Sequence, residues 1–228
     1  ELYLHPLRAK VMNEVLHALT KKADGPAFQT IYATHSPYFV SLDEFEAIRL
    51  IRRTKPNHEG PLVSKVMFST LAGVAAQLEV AHGHASGTFT GETLRARLIT
   101  IMSALVSEGF FSETVILVEG EEDRAILLAA AKRMGSDLDG KGISVIPVSG
   151  KTNLDRPFVI FSSLEIDTFL VFDGDENKGE KSQPGCNKAL LTLCGEAANE
   201  HPESRVFAKG ACFRDNMQKY VSDALGAD

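Results

Sequence analysis

Apolar residues recur along this chain in two periods. Val11, Met12, Val15, Leu16 and Leu19 share one face at helical spacing and predict a helix after Pro6. Lys21 and Lys22 suit its C-terminal end, and Asp24-Gly25-Pro26 stops it. Residues 30–33 and 47–51 read as strands, the second ending in a basic turn, and residues 57–61 read as a loop. A strand over 62–68, a helix over 71–80 and a loop rich in Gly, Ser and Thr over 83–91 come next. Leu94, Leu98, Ile101, Met102 and Leu105 then mark one amphipathic helix ending near Gly109.

From residue 113 the pattern alternates regularly. Strands are predicted at 114–118, 143–148, 168–172 and 205–208, where β-branched and aromatic residues cluster. Helices are predicted at 121–134, within 154–164, at 187–199 and at 214–225. Polar loops over 149–153 and 174–185 separate them. Strands alternating with helices predict an α/β fold whose parallel sheet is covered by helices on both faces.

The 228 residues suffice for one large domain or two small ones, and 44% hydrophobic content supports a sizeable core. No apolar run approaches the roughly 18–20 residues of a membrane span, and nothing at the start reads as a signal peptide. The chain opens at Glu1 in mid-motif without an initiator Met, which predicts a piece of a longer protein. Cys186, Cys194 and Cys212 are odd in number and lack Cys-x-x-Cys spacing, which argues against a disulfide framework or structural zinc and for a reducing cytoplasm. His82-Gly83-His84, the one histidine cluster, reads as loop. A net charge of −6 is unusual for a nucleic-acid binder. Local basic clusters at Arg49, Arg52, Arg53 and Lys55, and at Arg205, Lys209, Arg214 and Lys219, soften that balance.

Candidate chemistry sits in two acidic stretches at strand ends, Glu119-Gly120-Glu121-Glu122-Asp123 and Asp173-Gly174-Asp175. Open α/β sheets place their sites at the C-terminal ends of parallel strands. Adjacent strands would gather Glu119, Asp123, Asp173 and Asp175 into one small volume, where carboxylates repel unless a cation lies between them. Mg²⁺ or Mn²⁺ suits such an all-oxygen donor set. Glu121 and Glu122 are also explained as charges at a helix N-terminus. A calcium loop starting at Asp173 fails, because Lys178 stands where glycine is needed and Pro184 where a glutamate is.

Glu-Gly at one strand end followed by Asp-x-Asp at a later one resembles the Toprim pattern of topoisomerases, bacterial primases and the OLD (overcoming lysogenisation defect) nucleases. The start of the chain selects among these. Glu1-Leu2-Tyr3-Leu4-His5-Pro6 resembles the continuation of a Walker B strand, and Thr34-His35-Ser36-Pro37 the switch-histidine loop of an ABC-type ATPase. A P-loop is absent, since Gly150-Lys151-Thr152 follows Val145 where glycine is required. An ATPase tail followed by Toprim is the order of the OLD family.

The resemblance implies three parts: the end of an ATPase lobe over 1–55, a mainly helical connector over 56–112 and a Toprim domain over 113–228. It implies hydrolysis of DNA phosphodiesters with two divalent ions, Mg²⁺ or Mn²⁺, and ATP bound only through the preceding part of the protein, where His35 would sense the nucleotide. Asp173 and Asp175 would be shared ligands, Glu119 and Asp123 would complete one ion's shell, Glu122 would serve the second, and Glu119 is also a candidate base. Lys209-Gly210 resembles a Lys-Gly pair near the end of OLD Toprim regions, and strand 205–208 is expected to bring Lys209 to the acidic edge as a catalytic charge. Lys151, Arg205 and Arg214 are candidate DNA contacts. Family members act in phage defence or DNA processing, some beside a helicase-like partner, and the full-length protein is expected to self-associate. A rival reading is a Toprim module that docks DNA or a protein partner without cutting.

Overall fold

The structure is a computed structural model and describes residues 4–20, 28–40, 42–54 and 60–225. The expected helix stop at 21–26, Lys55 and the start of the Asn57 loop lie outside the described residues, as do Glu1 to Tyr3.

A long helix, α1 (Pro6–Thr20), opens the described chain. The strand expected at 30–33 is absent, and Ile31 stands 86% exposed. Its β-branched composition is not enough, because a strand needs a neighbour for its backbone groups and none of the described residues supplies one. The next expected strand is displaced: β1 (Leu50–Thr54) pairs antiparallel with β2 (Val63–Met67), the Ile51–Val66 pair lying directly opposed. Helices α2 (Leu71–His82) and α3 (Gly91–Ile101) follow, each capped by a threonine side chain that accepts a backbone N–H three residues on. The single helix expected through Leu105 breaks at Met102-Ser103. There Ser103 caps a separate short helix, α4 (Ala104–Ser107), by accepting the Val106 N–H.

The second half forms the predicted α/β body. Its strands are β3 (Thr114–Val118), β4 (Ile143–Pro147), β5 (Asp167–Asp173), β6 (Arg205–Phe207) and β7 (Gly210–Phe213), in the sheet order β4-β3-β5-β7-β6. The first four in that order run parallel, and β6 pairs antiparallel with β7. Strand β7 is not anticipated by the sequence reading; Gly210-Ala211-Cys212-Phe213 is too short a run to show a period. The alternating helices are α5 (Glu121–Arg133), α6 (Asp155–Ser163), α7 (Pro184–Leu193) and α8 (Met217–Leu225). Helix α7 stops six residues early because Gly195, in the left-handed region at φ 77°, ends it, with Glu196 N–H returning to Leu191 O.

One face of the sheet carries Val115, Leu117, Ile146, Leu170, Phe172 and Cys212, all buried in one cluster with Val159, Ile160 and Phe161 of α6 and Leu190 and Leu191 of α7. The same cluster takes in Leu71, Val74 and Leu78 of α2 and Leu94 and Leu98 of α3. Helices α2 and α3 therefore share their core with the sheet. His82, the last residue of α2, contributes a polar tie: its Nε2 lies 2.9 Å from Asp155, whose other oxygen accepts from Arg156 at 2.8 Å. Helices α5 and α8 pack together over the opposite face, α5 against β3 and β4 and α8 against β7, without a fully buried residue on α5. The acidic strand ends lie on this more open side.

Candidate active site

Parallel pairing of β3 with β5 puts Glu119 and Asp173 at neighbouring strand ends. The two are joined directly, as the Asp173 N–H donates to Glu119 Oε1 at 2.8 Å. Asp173 Oδ1 accepts the Met217 N–H at 2.8 Å, so the first turn of α8 holds it from the other side. Asp123 Oδ2 accepts the Gly120 N–H at 2.9 Å and ties the start of α5 to the end of β3. With Glu121, Glu122, Ser149 and Gly150, these three acids line an open cleft of about 450 Å³. Ser149 and Asp175 adopt left-handed backbone conformations at φ 61° and 57°, and such non-glycine strain gathers at functional sites.

The electrostatics mark the same place. Burial pushes the Glu119 carboxyl up to about 7. Hydrogen bonding from Asp173 and the charge of Lys151 pull it down, while Asp173 and Asp175 push it further up. Burial likewise raises Asp173 to about 6, opposed by the Met217 N–H and helped by Asp123 and Asp175. Asp123 is raised by burial and then by Glu122. Acids that resist ionisation together are those that a cation would relieve.

The sign of the pH dependence follows. Glu119 and Asp173 have folded values above their unfolded ones, so the stability they confer is full below the ordinary carboxylate range. It is lost as pH rises through about 6 and 7. In metal-free buffer, Glu119→Gln is therefore expected to gain thermal stability relative to the parent as pH is raised from 5 to 7.5, by several degrees at about 2–4 °C per kcal/mol. A melting-temperature difference constant over that range would count against the buried carboxyl.

The remaining expected site residues divide. Asp175 is 4% exposed and does not line the cleft. Its carboxylate is gripped by Lys151 Nζ and Lys178 Nζ, each at 2.6 Å. Lys151, expected as a DNA contact, is instead buried and also donates to Asn187 Oδ1 at 3.2 Å. Glu122 is exposed on the cleft rim. Arg214 pairs with Glu176 and Glu203, and Arg205 with Glu196 at 3.1 Å; both remain on the surface. His35 is exposed, its ring 6.2 Å from that of Phe111.

Lys209 departs most from expectation. It occupies the turn between β6 and β7, and its Nζ lies 2.6 Å from Asp167, the first residue of β5. The acids sit at the other end of that strand, roughly 20 Å away at about 3.3 Å per residue. The antiparallel hairpin causes this reversal, because the edge strand β6 runs opposite to its one neighbour, β7. Lys209→Ala is accordingly expected to leave any nicking rate within about threefold of the parent and stability nearly unchanged, as for other surface changes. A loss of about 10²-fold or more would show that the lysine reaches the reacting phosphate after all.

Sequence reasoning missed Lys178, Asn187 and the α8 N-terminus. Lys151 carried a signal, since it follows β4 in the loop at the same sheet edge as the acids. A larger cleft of about 740 Å³ lies along α2, but of its three acids Glu46 and Glu79 accept the Leu71 and Phe89 N–H groups and serve the local fold, and Glu92 lies in the first turn of α3. Burial pushes Cys186 and Cys194 up to about 12, which leaves both thiols inert.

The described residues show no three His, Cys, Asp or Glu side chains converged on one point. The donor chemistry nonetheless fits a hard cation. Glu119 and Asp173 each give one oxygen to a backbone N–H. Each keeps its second oxygen without a hydrogen-bond partner among the described residues.

A mostly parallel five-stranded sheet with acids at adjacent strand ends is a Toprim-type arrangement. Residues 110–175 match the family model described as overcoming lysogenization defect protein-like, TOPRIM domain. Two curated relatives agree. The OLD nuclease of Thermus scotoductus (strain ATCC 700910 / SA-01) is 29% identical over 178 residues, covering 77% of this chain. The Old nuclease of Escherichia phage P2 is 25% identical over 177 residues, again 77% of this chain. The chain spans 29% and 26% of the lengths of these two relatives. No helix among the described residues is long and apolar enough to cross a membrane.

Proposed function

We propose that this chain carries the cleavage site of a metal-dependent DNA nuclease. The observation that supports it best is the coupled pair Glu119–Asp173, two carboxylates at adjacent strand ends that resist ionisation and line one acidic cleft. The relatives' names as nucleases point the same way.

Glu119 and Asp173 would hold divalent ions, Mg²⁺ or Mn²⁺, with Asp123 and Glu122 at the rim of the same cleft. In a two-ion site the metals supply a hydroxide at neutral pH and stabilise charge on the leaving oxygen. Glu119 would also be the candidate base for an attacking water. Asp173 is held by its neighbours on two sides and orients the cleft. Lys151 lowers the cost of carrying these charges together. Residues 1–55 belong, in this reading, to an ATPase lobe completed by preceding chain, and a role in phage defence or DNA processing, self-association and a helicase-like partner are parts of the same proposal.

The test is incubation of supercoiled plasmid with the chain and Mg²⁺ or Mn²⁺. Nicked and linear products that disappear in EDTA are expected. Binding of DNA without any cutting under either metal would favour the docking module.

A further inference from the structure

Asn187, in the first turn of α7, is a fully buried polar side chain on a helix whose Ala189, Leu190 and Leu191 are buried with it. A buried amide is costly unless each of its polar groups is paired. Both of its amide hydrogens are used, on Gly174 O and Glu200 O at 3.0 Å each, and Oδ1 accepts Lys151 Nζ at 3.2 Å. Only this orientation of the amide makes all three bonds, because an ammonium only donates and a carbonyl only accepts. Three segments far apart in sequence therefore meet on one side chain: the loop after β4, the end of β5 and the chain that leads into β6. Gly174 is the residue that follows Asp173. Its N–H donates to Phe213 O at the end of β7, and a Cβ there would lie 2.7 Å from Arg214 O, so the backbone is clamped on that side as well.

We propose that Asn187 is the positioning residue of the acidic strand end, the amide that fixes the backbone after Asp173 and so keeps Asp173 joined to Glu119. Its consequence for cleavage rests on the nuclease reading above, whereas the geometry does not. Asp173 is tied at three points: its own N–H to Glu119, its carboxylate to the Met217 N–H, and the carbonyl of the next residue to Asn187. The first two ties involve the acids that line the cleft. The third is made in the core by a side chain that does not line the cleft, so Asn187 acts only through the backbone it holds. Support of this kind fixes a functional group by locking what lies behind it.

The experiment compares two variants of the intact chain. Asn187→Asp keeps the shape and the acceptor for Lys151 but loses both donors, to Gly174 O and to Glu200 O. Leu190→Ala takes a core side chain from the same helix and leaves those bonds alone. The first readout is amide hydrogen exchange in metal-free buffer. In Asn187→Asp the Asp173 and Met217 amides are expected to exchange about 5- to 100-fold faster relative to Val115 of β3, the range that one unsatisfied buried group commands. In Leu190→Ala all three amides are expected to accelerate in proportion. The second readout is plasmid nicking with Mn²⁺. In Asn187→Asp kcat is expected to fall by about 10²-fold, the cost of misplacing a reacting group by about 1 Å, with KM for the plasmid within about threefold of the parent. Should Asn187→Asp not fold, Asn187→Ser, which keeps a hydroxyl donor, carries both measurements. Proportional acceleration in the Asn187 variant overturns the proposal. So does selective loosening at Asp173 and Met217 with kcat within about threefold of the parent. A parent that cuts no plasmid overturns the nuclease reading instead, and the exchange comparison then decides by itself whether Asn187 holds Asp173.

Discussion

Glu119→Gln and Asp173→Asn are each expected to lower metal-dependent plasmid nicking by about 10³-fold or more. A metal-bound site supplies several kcal/mol of charge stabilisation, and each 1.36 kcal/mol is tenfold in rate. Both substitutions preserve shape and the oxygen that accepts the neighbouring N–H, while removing the charge. Because burial already disfavours that charge, the neutral variants are expected to fold at least as well as the parent at neutral pH. The paired measurement is therefore decisive: nicking rate beside melting temperature. Activity lost with stability intact assigns the acids to chemistry. Activity retained within tenfold in both variants, at saturating Mn²⁺, would sink the proposed site.

The largest stability effect is expected at Gly210→Ala. A Cβ built there would lie 2.0 Å from Leu170 O and 2.9 Å from Leu170 C, both backbone atoms of the adjoining strand β5. No rotamer relieves such an overlap, so β7 must separate from β5, where Leu170 pairs with Gly210. A cost of about 3 kcal/mol or more is expected, at the upper end of overpacking penalties. That corresponds to a fall of about 6–12 °C in melting temperature for a chain of this size. The consequence reaches the site, because the same strand pair sets Asp173 opposite Phe213 and leads into the α8 turn that holds Asp173. Metal binding is expected to weaken along with stability. A melting temperature within 2 °C of the parent would mean that the two strands are not so closely apposed.

Gly210 also shows where local reading stops. In the sequence it forms part of Lys209-Gly210 and draws attention to the lysine. In the structure the glycine carries the constraint, and Lys209 pairs with Asp167 at the far end of the sheet.

What the sequence determined by itself was the order of strands and helices from residue 113 to the strand at 205, without β7, and the acids at two strand ends. Those follow from periods of 2 and 3.6 residues and from short apolar runs, which are local properties of the chain. The acidic start of α5 was legible for the same reason. Tertiary structure alone decided direction and pairing. An apolar run such as 205–208 reads the same whichever way it points, and only its partner β7 reverses it and carries Lys209 away from the acids. Residues 30–33 have strand composition, yet pairing requires a neighbour that no single segment encodes. Asp175 lay in the motif as one more carboxylate. Burial beside Lys151 and Lys178, brought from 24 residues before and three after, turned it into a bridged counter-ion, because a buried charge must find its partner wherever the fold supplies one.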